Sequence, residues 1–221
     1  MSVFDAYSPP KHRQLDVLYQ DEYLIALNKP DGLLSVPGRG EHKQDCLSNR
    51  VKKDYPEAKV IHRLDMPTSG VILFALSDKI QTEVSRQFEN RMVNKTYIAV
   101  VDGQVINPEG EIVSPLICDW PNRPKQKVDH EHGKQAITEY KVLSRDARDK
   151  TTRLELSPKT GRSHQLRVHM ASIGHPILGD NLYANKEASQ KANRLLLHAS
   201  ELSFKHPTTG RNIQISSECP F

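Results

Sequence analysis

Cysteine is scarce: Cys46, Cys118 and Cys219 stand far apart, and no Cys-x-x-Cys pair occurs. An odd, scattered set excludes a disulfide framework and a cysteine-based zinc site, and it fits a reducing cytoplasm. No apolar run approaches the ~20 residues that a membrane helix needs. The opening "MSVFDAYSPPKHRQ" has no apolar stretch of the signal-peptide kind. No Gly-x-Gly-x-x-Gly follows a strand pattern and no phosphate-loop motif occurs, so no nucleotide cofactor is signalled. A His-Glu-x-x-His pair is missing too. The "HEH" at 130–132 lies in a charged loop, where a solvated face is the simpler reading. His164 and His169, five apart, would project about 140° from each other around a helix, a poor way to share one ion. Neither metal nor cofactor is expected. No serine occupies a Gly-x-Ser-x-Gly elbow. "HRLD" at 62–65 has the look of a kinase catalytic loop, but no glycine-rich loop precedes it and no DFG follows.

What is present is an ordinary globular composition. The 221 residues are 37% hydrophobic and 26% charged, enough for one sizeable domain. Residues 1–14 read as a tail before a domain spanning 15–221, and they are too few to form a further RNA-binding domain. "LDVLYQDEYLIALNKP" reads as a hairpin turning at "DE". Asp45 is a candidate cap for a short helix carrying Leu47 and Val51. "AKVIHRLD" reads as a strand, and "VILFAL" as a fully buried one. Ser77 caps a helix with Ile80, Val84 and Phe88 on one face. "KTYIAVVDG" is a strand, "AITEYKVLSR" and "TTRLELSPKT" a hairpin, and "SHQLRVHMASIG" a helix stopped by Gly174. "RLLLHASELSF" and "RNIQISS" pair across "HPTTG". Hairpins outnumber βαβ units, which predicts an α+β fold on a mixed, mostly antiparallel sheet flanked by helices and loops.

The most informative segment is "HRLDMPTSG", residues 62–70, which places charges at the mouth of the apolar "VILFAL". Asp65 could be a plain turn or cap residue. Thr68, Ser69 and Gly70, however, supply small side chains and N–H donors beside it, and a sheet end is where concave sites form. A carboxyl buried there stays protonated unless a cation lies near. An ionised, reactive aspartate therefore needs a guanidinium, and Arg63 and Arg162 are the candidates.

Net charge is +4. That excess could be of no consequence, or it could serve a polyanion; clustering decides between the two. Arg123, Lys125 and Lys127 surround Trp120 in "DWPNRPKQKV". Arg162, His164, Arg167 and His169 gather in "GRSHQLRVH", and Arg91 and Lys95 in "NRMVNKTY". An aromatic among cations suits single-stranded nucleic acid, the ring stacking a base while the cations hold phosphates. RNA loops, whose bases splay out, are the favoured partner.

At this point the segments are similar to a known family. "HRLDMPTSGVILFAL" resembles the signature of the RluA-type pseudouridine synthases. "NKPDGLLSVPG", "KTYIAVVDG", "KTGRSHQLRVHMASIGHPILGD" and "LLLHASELSFKHP" resemble its other blocks, in family order. The resemblance implies the pseudouridine synthase fold and an isomerase that breaks the uracil N1–ribose C1′ bond and rejoins the base through C5. It implies Asp65 as the catalytic aspartate, nucleophile or base, with Arg162 as its pair and Tyr97 against the target base. Arg63 would fill the gap left by an extruded uridine, with His62 beside it on the RNA side. Thr68, Gly70, Leu196 and Leu197 would line the pocket. The implied partners are a transfer-RNA anticodon stem-loop and a large-subunit ribosomal RNA hairpin, bound by a cytoplasmic monomer. The alternatives are a synthase acting on a single RNA class and a catalytically silent RNA-binding module; Asp65 argues against the second, since a carboxylate repels phosphates.

Overall fold

The structure, a computed structural model, describes residues 7–221. In chain order its elements are β1 (Val17–Gln20), β2 (Leu24–Lys29), α1 (Leu47–Asp54), β3 (Lys59–Val60), β4 (Ser69–Ala75), α2 (Asp78–Glu89), β5 (Asn94–Asp102), β6 (Glu109–Val113), β7 (Leu116–Cys118), β8 (Gln126–Val128), β9 (Ile137–Asp146), β10 (Thr151–Pro158), α3 (Gln165–Ser172), α4 (Lys186–Gln190), β11 (Leu197–Lys205) and β12 (Asn212–Ser216). The architecture is α+β, with a mixed, mostly antiparallel sheet and few helices, as expected. Among the described residues no helix is long and apolar enough to cross a membrane. The chain folds as two compact units. One runs up to Val93 and adds Ala199–Cys219; the other is Asn94–His198 with Pro220–Phe221.

In the first unit β4 is central. All seven of its residues are buried. β2 runs antiparallel to it, from Leu24 opposite Ala75 to Lys29 opposite Gly70, and β3 pairs with it at Lys59 and Val60. Leu24, Ala26, Val71 and Leu73 form one core with Ile80 and Val84 of α2 and with Leu202, Phe204 and Ile215 of the last hairpin. Ser77 caps α2 as predicted, its Oγ accepting the Ile80 N–H. Two local expectations shift. The cap of α1 is Cys46, because the Asp45 carboxylate is taken by Arg50. The strand expected over 58–65 reduces to Lys59–Val60, because the next backbone groups bond to side chains instead of a ladder.

Two further features hold this unit together. The Asp21 carboxylate accepts hydrogen bonds from the Tyr19 hydroxyl, the Tyr23 and Leu24 amides and Nε2 of buried His206. Burial alone would raise this carboxyl. The hydrogen bonds outweigh it and hold the pKa below the usual carboxylate value, while burial and the Asp21 partner push Tyr19 up to about 12. Between residues 7 and 14 there is no helix or strand, yet the Tyr7 hydroxyl donates to the Asp45 carbonyl and Arg50 donates to that of Pro10.

In the second unit the strand order is β5-β10-β9-β6, all antiparallel. The inward side of this sheet packs Ala99, Val101, Leu154 and Leu156 against Leu166 and Met170 of α3. The segment read as a basic loop is a hairpin, β7 with β8, closed by a 3-10 turn at Trp120–Asn122. β6, β7 and β8 escape sequence reading because strands of three to five residues are too short to show a period.

Two outcomes follow from the first unit. Gly70 has φ +110°, and a Cβ there would lie 2.2 Å from the Ala199 carbonyl oxygen. Gly70→Ala should cost at least about 2–3 kcal/mol, read from thermal or urea unfolding. Because the folded-state pKa of Asp21 is depressed, its contribution is present at neutral pH and is lost as pH falls through the carboxylate range. Asp21→Asn should therefore be less stable than wild type at pH 7, with the gap narrowing toward pH 3.

Candidate active site

The signature turn lies in the first unit and is fixed from several sides. Lys29 is fully buried, and its ammonium donates to the carbonyls of Pro30, Leu33 and Met66 at 2.9, 2.7 and 3.0 Å. A buried ammonium is costly unless its donors are used, so these bonds lock the ends of two loops together. Ser35 grips Leu64 in both directions: its Oγ donates to the Leu64 carbonyl and accepts the Leu64 N–H. The Thr68 N–H closes the turn onto the Asp65 carbonyl at 3.1 Å. Leu64 is pinned inward and buried. Arg63 is exposed and Asp65 half-buried, while Thr68 and Gly70 are buried behind them.

His62 has a framework role. Its Nε2 accepts the Leu73 N–H at 3.1 Å, and its ring stacks on Phe88 with centroids 4.9 Å apart. Those contacts tie the imidazole to β4 and α2.

In the second unit, Tyr97 of β5 sits on the inward side of the sheet. It packs, partly buried, against the apolar cluster that also contains Leu156, Leu166, Leu196 and Leu197. Tyr97, expected against the target base, and Leu196 and Leu197, expected in the pocket, belong to one apolar cluster. Lys95, two residues before Tyr97, donates to the Thr160 carbonyl at 3.3 Å, and burial lowers its pKa to about 8.

The two arginines around α3 differ sharply. Arg162 is exposed; its Nε donates to the Gln135 carbonyl at 3.1 Å and its N–H to Oε1 of Gln165. Arg167 is buried and forms a bidentate pair with Asp180, at 2.8 and 2.7 Å, the two side chains being 4% and 0% exposed. That corrects the reading of Arg167 as a surface RNA contact. The pair engages two of the five N–H donors that a guanidinium carries. Asp180 also accepts the amides of Leu182 and Tyr183, and the Tyr183 ring lies 5.1 Å from the Arg167 guanidinium carbon. His169 is likewise internal: Nε2 bonds the Ser114 carbonyl and Nδ1 the Thr138 hydroxyl, and burial lowers its pKa.

The basic hairpin is displayed outward. Trp120 is 65% exposed, with the Arg123 guanidinium over its ring at 4.5 Å. Lys127 is exposed and Lys125 half-buried, while Lys127 reaches toward Asp129 at 3.9 Å. His164, at the left-handed entry to α3, bonds the Tyr183 hydroxyl through Nδ1 at 2.6 Å. Among the described residues no group of three or more His, Cys, Asp or Glu side chains could hold a metal ion. Sequence reading missed Lys29, Ser35, Asp180 and Tyr183. Each works through partners distant along the chain, and only the "NKP" and "GD" segments hinted at the first and third.

Residues 23–172 match the RNA pseudouridylate synthase family. The chain is 56% identical over 205 residues to the dual-specificity RNA pseudouridine synthase RluA of Yersinia pestis, covering 93% of this chain and 99% of that one. It is 52% identical over 215 residues to the protein of the same name in Escherichia coli K12, covering 97% and 98%. Among solved structures it superposes on human RNA pseudouridylate synthase domain containing 1 with a TM-score of 0.80 and 26% identity, covering 97% of this chain and 87% of that one.

Removing one partner of a buried ion pair strands the other charge. Asp180→Ala should therefore cost about 3–5 kcal/mol in unfolding free energy, whereas Arg162→Ala, at an exposed position, should change it by less than about 0.5 kcal/mol.

Proposed function

Because the chain belongs to the RNA pseudouridylate synthase family, we propose that it isomerises uridines to pseudouridine in two kinds of RNA: a transfer-RNA anticodon stem-loop and a large-subunit ribosomal RNA hairpin. The curated relatives from Yersinia pestis and Escherichia coli carry dual specificity in their names, and the chain matches them over nearly their whole length. The same reading places its work in the cytoplasm, as a monomer and without a cofactor.

The reaction is balanced internally. The N1–C1′ bond breaks, the base turns, the C5–C1′ bond forms, C5 gives up its proton and N1 takes one. Asp65 is the group we assign to C1′ or C2′ of the ribose, as nucleophile or base; both roles use the carboxylate form. Supporting this, the backbone of its turn is fixed by Lys29, Ser35 and the Thr68 amide before substrate arrives. That fixed turn, inside the matched segment, is the observation that carries the proposal.

Tyr97 is assigned to the target base, with Leu196 and Leu197 supplying apolar surface. Exposed Arg63 is assigned to the gap that the extruded uridine leaves. For the guanidinium of the reaction we replace Arg162 by Arg167. Burial in a bidentate pair holds Arg167 rigid and away from bulk water, where a charge acts most strongly on a developing charge. An exposed Arg162 lacks that advantage. The hairpin carrying Trp120, Arg123, Lys125 and Lys127 is assigned to the RNA loop, stacking a base and holding phosphates.

The test uses transcripts of an anticodon stem-loop and of a ribosomal hairpin, scored for pseudouridine at each uridine. The unaltered protein should modify both. Asp65→Asn should reduce turnover by at least about 1,000-fold while RNA affinity stays within about threefold. A variant that turns over normally, or a wild-type protein that modifies neither RNA, would contradict the assignment. Affinity should fall steeply with added salt, as phosphate contacts release counterions.

A further inference from the structure

Tyr183 joins three parts of the second unit. Its hydroxyl accepts the backbone N–H of Gln126, in strand β8 of the basic hairpin, at 2.8 Å. The same hydroxyl bonds Nδ1 of His164 at 2.6 Å, at the entry to α3. Its ring lies against the Arg167 guanidinium at 5.1 Å, and its own N–H is held by Asp180, the partner of Arg167. The ring also packs, with Val128 of the hairpin, on the small core of Leu116, Ala136 and Val168.

Besides Tyr183, the hairpin is anchored at its base, where Leu116 and Val128 pack on the same small core and the Asp129 N–H bonds the Pro115 carbonyl. β7 and β8 pair only with each other over three residues, and Leu116 bridges to Lys134 at the base. A two-stranded ladder this short does not hold its own direction in water. Beyond that base, the tip with Trp120 and Arg123 takes its orientation from contacts such as the Gln126–Tyr183 bond. Meanwhile the Tyr183 ring, an apolar wall with an electron-rich face, helps keep Arg167 desolvated and in place.

We propose that Tyr183 is a positioning residue that ties the RNA-gripping hairpin to the Arg167 guanidinium. It orients the hairpin through its hydroxyl and the guanidinium through its ring. This rests on the synthase reading above and adds to it a residue with two separable duties. The hydroxyl serves the hairpin and hence RNA affinity. The ring serves Arg167 and hence turnover.

Two substitutions separate these duties. Tyr183→Phe keeps the ring and removes the hydroxyl. It should raise KM for the stem-loop about fivefold, the worth of one good hydrogen bond, and leave kcat within twofold. In a Trp120→Ala background the same change should add nothing to KM, because its effect runs through the hairpin. Tyr183→Leu should show the same rise in KM and, in addition, a fall in kcat of about tenfold.

A direct signature is available because Trp120 is the chain's one tryptophan. Its fluorescence anisotropy in the free protein should fall in Tyr183→Phe, reporting a looser hairpin. A fall in kcat without a change in KM for Tyr183→Phe, an equal rise in KM with and without Trp120, or unchanged Trp120 anisotropy would each overturn the proposal. Anisotropy needs no turnover. A protein that makes no pseudouridine would defeat the synthase reading, while the tether would still be judged by that signal. If Tyr183→Leu fails to fold, Tyr183→Phe with its Trp120→Ala cycle decides alone.

Discussion

A buried guanidinium, bound along one edge through Nε and Nη2 by a fully buried carboxylate, is the constraint around which the second unit is arranged. Taking Arg167 and Asp180 out of water costs several kcal/mol per ion, and their attraction repays this only with near-ideal geometry and further hydrogen bonds. The structure supplies both: two short, parallel bonds, amides of Leu182 and Tyr183 on Asp180, and an aromatic face beside Arg167. A hydrophobic pair would fill the space at less cost.

The first unit solves the complementary problem with backbone instead of charge. Asp65 sits on a short irregular stretch, and loops of this kind move unless their amides and carbonyls are taken up. Here they are taken up by side chains, Lys29 from β2 and Ser35 from the following loop, while His62 ties the start of the stretch back to β4 by accepting the Leu73 N–H. Each is polar and half or wholly buried, and each would look misplaced if judged by hydrophobicity alone. The fully buried β4 is what makes this possible, because it provides the rigid floor from which the turn departs.

Much of the architecture is legible from local pattern. Ser77 before an i, i+4, i+8 apolar row marks α2, Gly174 marks the end of α3, and the alternation over 151–158 appears in β10 as strictly alternating burial. The signature around Asp65 was recognisable as well. What could not be read is whatever depends on partners far away in sequence. Asp45 has every attribute of a helix cap, but Arg50 claims its carboxylate. Lys29 in "NKP" has the appearance of a surface lysine until three carbonyls converge on it. Arg162 and Arg167 both fit a basic cluster along the chain. Only the presence of Asp180, thirteen residues beyond Arg167, tells the buried one from the exposed one.

That distinction is also where the account is most exposed to test. Single-turnover rates of pseudouridine formation, measured side by side for Arg167→Lys and Arg162→Lys with folding verified by thermal unfolding, address it directly. Lysine keeps the charge and loses the two-armed geometry. The rate should fall by about 100-fold or more at position 167 and by less than about threefold at position 162. The opposite order, with a folded Arg167→Lys protein turning over normally, would contradict the claim that the buried guanidinium serves the chemistry.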